Sequence, residues 1–204
     1  MKSEAIVEFG KPLQTIENDT PIPKGKEVLL KITYSGVCHS DVHLHDGYFD
    51  LGGGNQLPVG AAMNLPHTLG HEIEGKVVSF GSDVTDIEVG ANVVAYPWIG
   101  CGKCSTCETG DEHYCNAPQQ LGIQLPGGFS DYCLIPDSKY VLDYTGIRPG
   151  LAATYMCSGL TAFGALKKLV NINDDDHILI MGLGGVGMMG LQFARSLFNC
   201  KILA

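Results

Sequence analysis

Four cysteines, Cys101, Cys104, Cys107 and Cys115, stand in a C-x2-C-x2-C-x7-C run within one fifteen-residue stretch, CGKCSTCETGDEHYC. No other feature limits so sharply what the chain can fold into. A segment this poor in large apolar side chains cannot organise around a core of its own, and a long loop without secondary structure needs another support. A tetrahedral zinc ion supplies one, because four thiolates at about 2.3 Å can be gathered from a single excursion of the chain. Two disulfides or four separate free thiols are the alternatives. Cysteines three apart pair poorly. The start, MKSEAIVEFGK, has no apolar signal region, so eight cysteines point to metal ligation in a reducing, cytoplasmic setting. An ion held by all four would be structural, with no position open to substrate.

Composition narrows the class of partner. With 204 residues, 45% hydrophobic and 17% charged, the chain has apolar material for one large domain or two small ones. A net charge of −9, with no cluster of Lys or Arg, would repel nucleic acid and anionic membrane surfaces. No uncharged apolar run approaches the roughly 20 residues of a membrane-spanning helix.

The first 150 residues read as short strands. Residues 5–9, 27–34, 74–80 and 92–96 are rich in Val and Ile and are bounded by Gly, Pro, Asn or Asp. Such spacing predicts a curled all-β barrel or sandwich. Residues 48–66, with Gly52, Gly53 and Gly54, and the cysteine stretch read as long irregular segments. After Gly150 the pattern changes. Residues 151–169 carry apolar side chains at helical spacing and predict a buried helix, and Asp174, Asp175 and Asp176 a solvated turn. Residues 177–181 predict a buried strand, followed by a helix to about Phe198 and a second strand from Lys201. A nucleotide-binding parallel sheet needs several such units, so the chain reads as the N-terminal part of a longer protein.

Gly182, Gly184, Gly185, Val186 and Gly187 lie in a G-x-G-x-x-G pattern between that strand and that helix. The first glycine permits a tight turn, the second a close approach of a pyrophosphate, the third close helix packing. No Asp or Glu follows before the last residue, Ala204, so the acid that would hold a ribose 2′-hydroxyl is not in view, and NAD and NADP both stay open. Cys38, His71 and Cys157 stand apart in sequence. Two sulfurs and one imidazole can form a catalytic zinc site with a fourth position open; each residue alone reads equally well as buried core.

GVCHSD, GHEIEGKVVSFGSDV, the four-cysteine stretch, YMCSGLTAFGAL and GLGGVG occur in that order. In this the chain resembles the zinc-dependent medium-chain alcohol dehydrogenases over essentially its whole length. The resemblance implies a mixed α/β protein: a GroES-like β-barrel catalytic domain over residues 1–150, then the start of a Rossmann doubly wound parallel sheet over 151–204, with the active site between them. It implies two zinc ions per chain. Cys38, His71 and Cys157 would hold the catalytic one, with Glu72 able to approach it, and Cys101, Cys104, Cys107 and Cys115 the structural one. Asp41 would orient His71, Ser40 would contact the substrate oxygen, and His43 would relay its proton. His39 would sit at the cofactor pyrophosphate, Thr161 at the nicotinamide, and the glycine motif under an NAD molecule.

The activity implied is reversible oxidation of primary or secondary alcohols to aldehydes or ketones, by hydride transfer to a nicotinamide, in a homo-oligomer (dimer or tetramer) of the full-length protein. The alternatives are an NADPH-dependent aldehyde reductase of the same superfamily and a catalytically silent zinc-binding fragment. Zinc-free quinone reductases share the scaffold, and the ligand set argues against them. Residues 48–66 are longer than the common form of the family, and Tyr48 and Trp98 could line the pocket or pack in the core.

Overall fold

The protein is described by a computed structural model covering residues 1–60 and 63–204. Its largest sheet grows from two nine-residue strands, β3 (Val28–Gly36) and β7 (Glu72–Phe80). Val28, Leu29 and Leu30 are all buried, as are the four residues opening β7, so these strands are covered on both faces rather than alternating. They pair antiparallel, flanked by β8 (Asn92–Ala95), β9 (Tyr132–Ile135) and β10 (Val141–Asp143) in the order β10-β8-β7-β3-β9. Gly75 is required inside the pair, because a Cβ there would lie 2.7 Å from the Lys31 carbonyl oxygen. The main core gathers Val28, Leu30, Ile73, Val77, Ala95 and Ile135. Each such side chain contributes about 1.5–3 kcal/mol on burial, which is what keeps β3 and β7 central.

A second, three-stranded sheet joins β2 (Gln14–Glu17), β1 (Lys2–Ile6) and β6 (His67–Thr68). A short bridge at Ser3 and Ser130, with the Glu4 N–H donating to the Phe129 carbonyl and the Asp131 N–H to the Lys2 carbonyl, ties it to the segment leading into β9. The expected barrel is therefore corrected: among the described residues the sheets remain open. The breaks at Leu29/Leu30 and Ile32/Tyr34 in the β3–β7 ladder bend the large sheet without closing it. The N-terminal strand lies three residues earlier than the 5–9 expected, because its register is set by pairing to both neighbours.

Residues 48–66 also differ from expectation. Strands β4 (Tyr48–Gly52) and β5 (Asn55–Pro58) form a hairpin with Gly52, Gly53 and Gly54 all at positive φ; residues 61 and 62 of that stretch lie outside the described residues. Helix α1 (His39–Asp46) precedes it. Eight residues are too few to be stable alone, so its hold comes from buried Leu44, which packs with Ile6, Met63 and Leu69, and from Gly47 as a left-handed C-cap. The cysteine stretch holds a short helix, α2 (Ser105–Glu108), and a 3-10 turn over Glu112–Tyr114.

The helix expected over 151–169 is broken. A 3-10 turn spans Ala152–Met156, and α3 runs from Ser158 to Lys167, with Cys157 at the break at φ −128°, ψ −74°. Ala152 and Ala153 are buried, while Leu160 and Phe163 are partly exposed, so only one face of the segment is covered. Beyond it, β11 (His177–Leu179), α4 (Gly185–Leu197) and β12 (Lys201–Leu203) form a β-α-β unit with β11 and β12 parallel. The strand expected to be buried over 177–181 has only Ile178 inside; Leu179 and Met181 face out, because a two-stranded sheet has little to cover them. No helix among the described residues is long and apolar enough to cross a membrane.

Candidate active site and metal centres

Where β3 ends, Cys38 caps α1, and the carboxylate of Asp41 folds back to it. Asp41 Oδ2 accepts the Cys38 backbone N–H at 2.8 Å, while Oδ1 accepts from His71 Nδ1 at 3.1 Å and Gly70 N–H at 3.3 Å. One buried carboxylate thus joins the turn bearing Cys38 to the start of β7 bearing His71. With Nδ1 donating to Asp41, the neutral form of His71 carries its lone pair on Nε2, which is buried and has no hydrogen-bond partner. Cys157, at the break before α3, completes the group: its Sγ lies 3.9 Å from that of Cys38, and the three donor atoms are all within 4.8 Å of one another.

These spacings match an ion's coordination sphere. Sulfurs bound tetrahedrally at 2.3 Å stand roughly 3.8 Å apart. An orphaned imidazole nitrogen would otherwise be a costly buried polar atom. The charge distribution of the metal-free group makes the same point. The Cys157 thiol, then His71, lower the Cys38 pKa to about 3. Burial pulls His71 down, but its bond to Asp41 and the negative charge of the neighbouring Cys38 sulfur outweigh that and leave it raised to about 10. Cys157 is pushed up by its bond to Cys38 and by burial. Two thiolates this close cannot both ionise without a cation between them.

The second group shows the same edge lengths. Sγ–Sγ distances are 4.0 Å for Cys101–Cys107, 3.5 Å for Cys104–Cys107 and 3.8 Å for Cys104–Cys115. Backbone N–H groups of Cys101 and Ala117 point at Cys115 Sγ, each at 3.3 Å. A Cβ at Gly100 would fall 2.5 Å from Cys107 Sγ, so the loop needs glycine there to close on itself. Burial raises the Cys107 pKa to about 11, and the neighbouring sulfurs add to it. A cation fits this donor set too.

The other expected site residues fall into place unevenly. Glu72 is buried, yet its Oε1 accepts from the Ser158 hydroxyl at 2.9 Å and the Ser158 N–H at 3.3 Å, and the three-donor group does not include it. Burial raises its pKa. Ser40 lies two residues from Cys38, and its backbone and hydroxyl groups help to lower the Cys38 pKa. His43 is half-buried, its ring 4.8 Å from that of exposed His39 and 4.8 Å from that of Phe49 on the hairpin. Trp98 packs its ring 5.7 Å from that of His71 and donates to the Met156 carbonyl at 2.9 Å. It lines a cavity of about 510 Å³ with Tyr96, Tyr114, Leu160 and exposed Thr161; Tyr48 is not part of that wall. Sequence patterning missed Trp98's bond to Met156 and Phe49's contact with His43, since neither follows from spacing.

At the glycine turn, Gly182 has φ +87°, and a Cβ at Gly187 would lie 1.9 Å from the Gly182 carbonyl oxygen. The first glycine is needed for backbone angle and the third for closeness. Gly184 has open space around it, at the N-cap of α4, where unpaired N–H groups favour an anion.

Comparison with known proteins gives the family. Residues 24–146 match the alcohol dehydrogenase GroES-like domain. The NAD-dependent alcohol dehydrogenase of Saccharolobus solfataricus is 37% identical over 204 residues, covering 100% of this chain and 58% of its own length. The cobalt- and zinc-bound thermostable alcohol dehydrogenase of Pyrobaculum aerophilum superimposes with a TM-score of 0.83 at 29% identity, over 99% of this chain and 58% of that one. The acetophenone reductase of Geotrichum candidum, in complex with NAD, gives 0.83 at 31% identity, over 98% and 56%. The chain thus spans somewhat over half the length of these relatives. With motif order, donor geometry and a domain match over most of its residues in agreement, the chain belongs to the zinc-type medium-chain alcohol dehydrogenase family.

Proposed function

We propose that the chain carries the metal-binding and nucleotide-entry portion of a reversible, zinc-dependent alcohol dehydrogenase, acting on primary or secondary alcohols with NAD. Residues 1–150 form the GroES-like catalytic unit, and 151–204 open a Rossmann-type dinucleotide sheet with the β11–α4–β12 unit. The observation that carries the reading is His71 Nε2, buried, unpartnered, and grouped with two cysteine sulfurs. Cys38, His71 and Cys157 would hold one zinc and the four loop cysteines another. Zinc at the three-donor site would supply Lewis acidity, easing deprotonation of an alcohol hydroxyl.

The chain's own residues manage the rest. Asp41 holds His71 in the tautomer that leaves Nε2 free. Ser40, two residues from Cys38, places a hydroxyl beside the site to relay the substrate proton, taking it up as it gives its own to His43. His43, three residues on and on the same helical face, passes that proton outward between His39 and Phe49. Trp98, beside His71, and the aromatic cavity wall would accommodate an apolar alcohol. Open space at Gly184 and the α4 N-terminus would receive the pyrophosphate, with His39 and Thr161 contributing at either end of the cofactor. We place the full-length protein in the cytoplasm as a homo-oligomer.

Metal analysis tests the reading. The purified protein should hold two zinc ions per chain; Cys38→Ala should retain one and lose NAD-linked alcohol oxidation. A Cys38→Ala protein that still holds two ions would remove Cys38 from the ligand set.

A further inference from the structure

Glu74 is 1% exposed, sits on β7 two residues beyond Glu72, and plays no part in the chemistry above. Both its oxygens are engaged. Oε1 accepts from the Tyr144 hydroxyl at 2.8 Å, and Oε2 accepts from the Gly150 N–H at 2.9 Å. These partners lie 70 and 76 residues away, on the segment that leaves β10 and crosses toward α3. From Gly150, at φ +80°, the chain makes the Ala152–Met156 turn and delivers Cys157.

Three polar contacts fix that crossing segment. Glu74 holds Gly150, Trp98 holds the Met156 carbonyl, and Glu72 holds Ser158. Cys157 is framed between the last two. Glu72 and Glu74 project from the same face of β7, since strand side chains alternate with period two. The strand that begins one residue after His71 therefore also anchors the only donor that comes from the far side of the crossing.

We propose, on the zinc reading given above, that Glu74 is a positioning residue for the three-donor metal site: by fixing Gly150 to β7 it sets where Cys157 meets Cys38 and His71. A carboxylate buried without charge partners among the described residues is an expensive way to hold a loop unless the placement matters. An apolar residue would fill the space and leave the crossing free to shift. Ångström-scale drift at Cys157 would spoil a coordination sphere whose donors must converge within tenths of an ångström.

Cobalt provides the test, because Co²⁺ absorption reports sulfur coordination directly. Wild-type protein titrated with Co²⁺ should fill both centres, and Cys38→Ala gives the reference spectrum of the four-cysteine centre alone. Glu74→Leu should weaken Co²⁺ binding at the three-donor site roughly tenfold or more and shift its sulfur-to-cobalt band, with the four-cysteine centre unchanged. Glu74→Gln should restore both, since its amide can accept from Gly150 N–H and donate to the Tyr144 oxygen. Tyr144→Phe, which removes one of the two bonds, should move affinity the same way by less, and carries the test if the leucine variant does not fold. Wild-type affinity and spectrum in Glu74→Leu and Tyr144→Phe, or equal loss at both centres, would overturn the proposal alone. A wild-type protein that takes up cobalt only at the four cysteines would overturn the metal reading and the proposal with it.

Discussion

At the three-donor site the residue on which most depends is Asp41, which donates nothing to a metal. Its carboxylate takes the Cys38 N–H on one oxygen and His71 and Gly70 on the other, so a single side chain sets two ligand positions. Asp41→Ala should lower zinc affinity at this site by about 10–100-fold and spare the four-cysteine centre, as measured by chelator competition; equal affinities would separate Asp41 from the ligands. Proton release gives a second check. Near pH 7 the metal-free group holds a proton on His71, raised to about 10, and one on Cys157, also raised, while Cys38, lowered to about 3, holds none. Metal binding must expel both protons, so affinity climbs with pH, by about a hundredfold per unit around neutrality. Calorimetry in buffers of differing ionisation enthalpy should count two protons released; a pH-independent affinity would contradict this charge distribution. Cysteine and histidine were legible as candidates because their chemistry narrows their uses. Glu74 was not, because an acid in a strand reads as solvated until Tyr144 and Gly150 are seen to meet it.

The cysteine loop shows what an element needs when it has no core. Beyond its sulfurs, it is held by Glu112, which accepts from Lys139 Nζ at 2.5 Å, from the Tyr140 hydroxyl and from the Gly100 N–H at 3.4 Å. Burial raises the Tyr140 pKa to about 12, and its bond to Glu112 adds to the rise. Cys104→Ala should therefore loosen the loop without releasing its base: amide exchange should quicken between Cys101 and Cys115, one zinc should be lost, and the three-donor site should keep its own. Unaltered exchange would mean the loop does not depend on a metal. The glycine turn before α4 is tighter. Gly187→Ala would push a methyl into the Gly182 carbonyl, costing about 1–3 kcal/mol in denaturant unfolding and weakening nucleotide binding; a variant as stable as wild type would show that α4 can shift. Element types were readable where apolar runs were long, as in β3 and β7. The 48–58 hairpin was not, since its strands pair only with each other and carry no buried stripe, and the break at Cys157 was not, since the apolar spacing runs through it.

Across the whole molecule, burial is uneven. The antiparallel sheets enclose two cores, whereas the β11–α4–β12 unit leaves Leu179, Met181 and Leu183 exposed at 63%, 87% and 49%. Apolar surface beside an unpaired strand edge favours association. The 204-residue chain by itself should self-associate as its concentration rises, as seen by sedimentation velocity; a monodisperse monomer at high concentration would show that this face is tolerated in water. Side-chain hydrogen bonds from Ser158 to Glu72 and from Trp98 to the Met156 carbonyl join the two regions, beside buried Ala152 and Ala153.

From the residues alone came the family, the order of its motifs, the two sets of metal-binding candidates and the glycine turn, because each rests on side-chain chemistry or on backbone angles that few residues adopt. The open sheets, the interruption at Cys157, Glu72 turned to Ser158 and the role of Glu74 were decided only by the folded chain. Each depends on which distant segments come within hydrogen-bonding reach, and pairing across seventy or more residues leaves no local pattern to read.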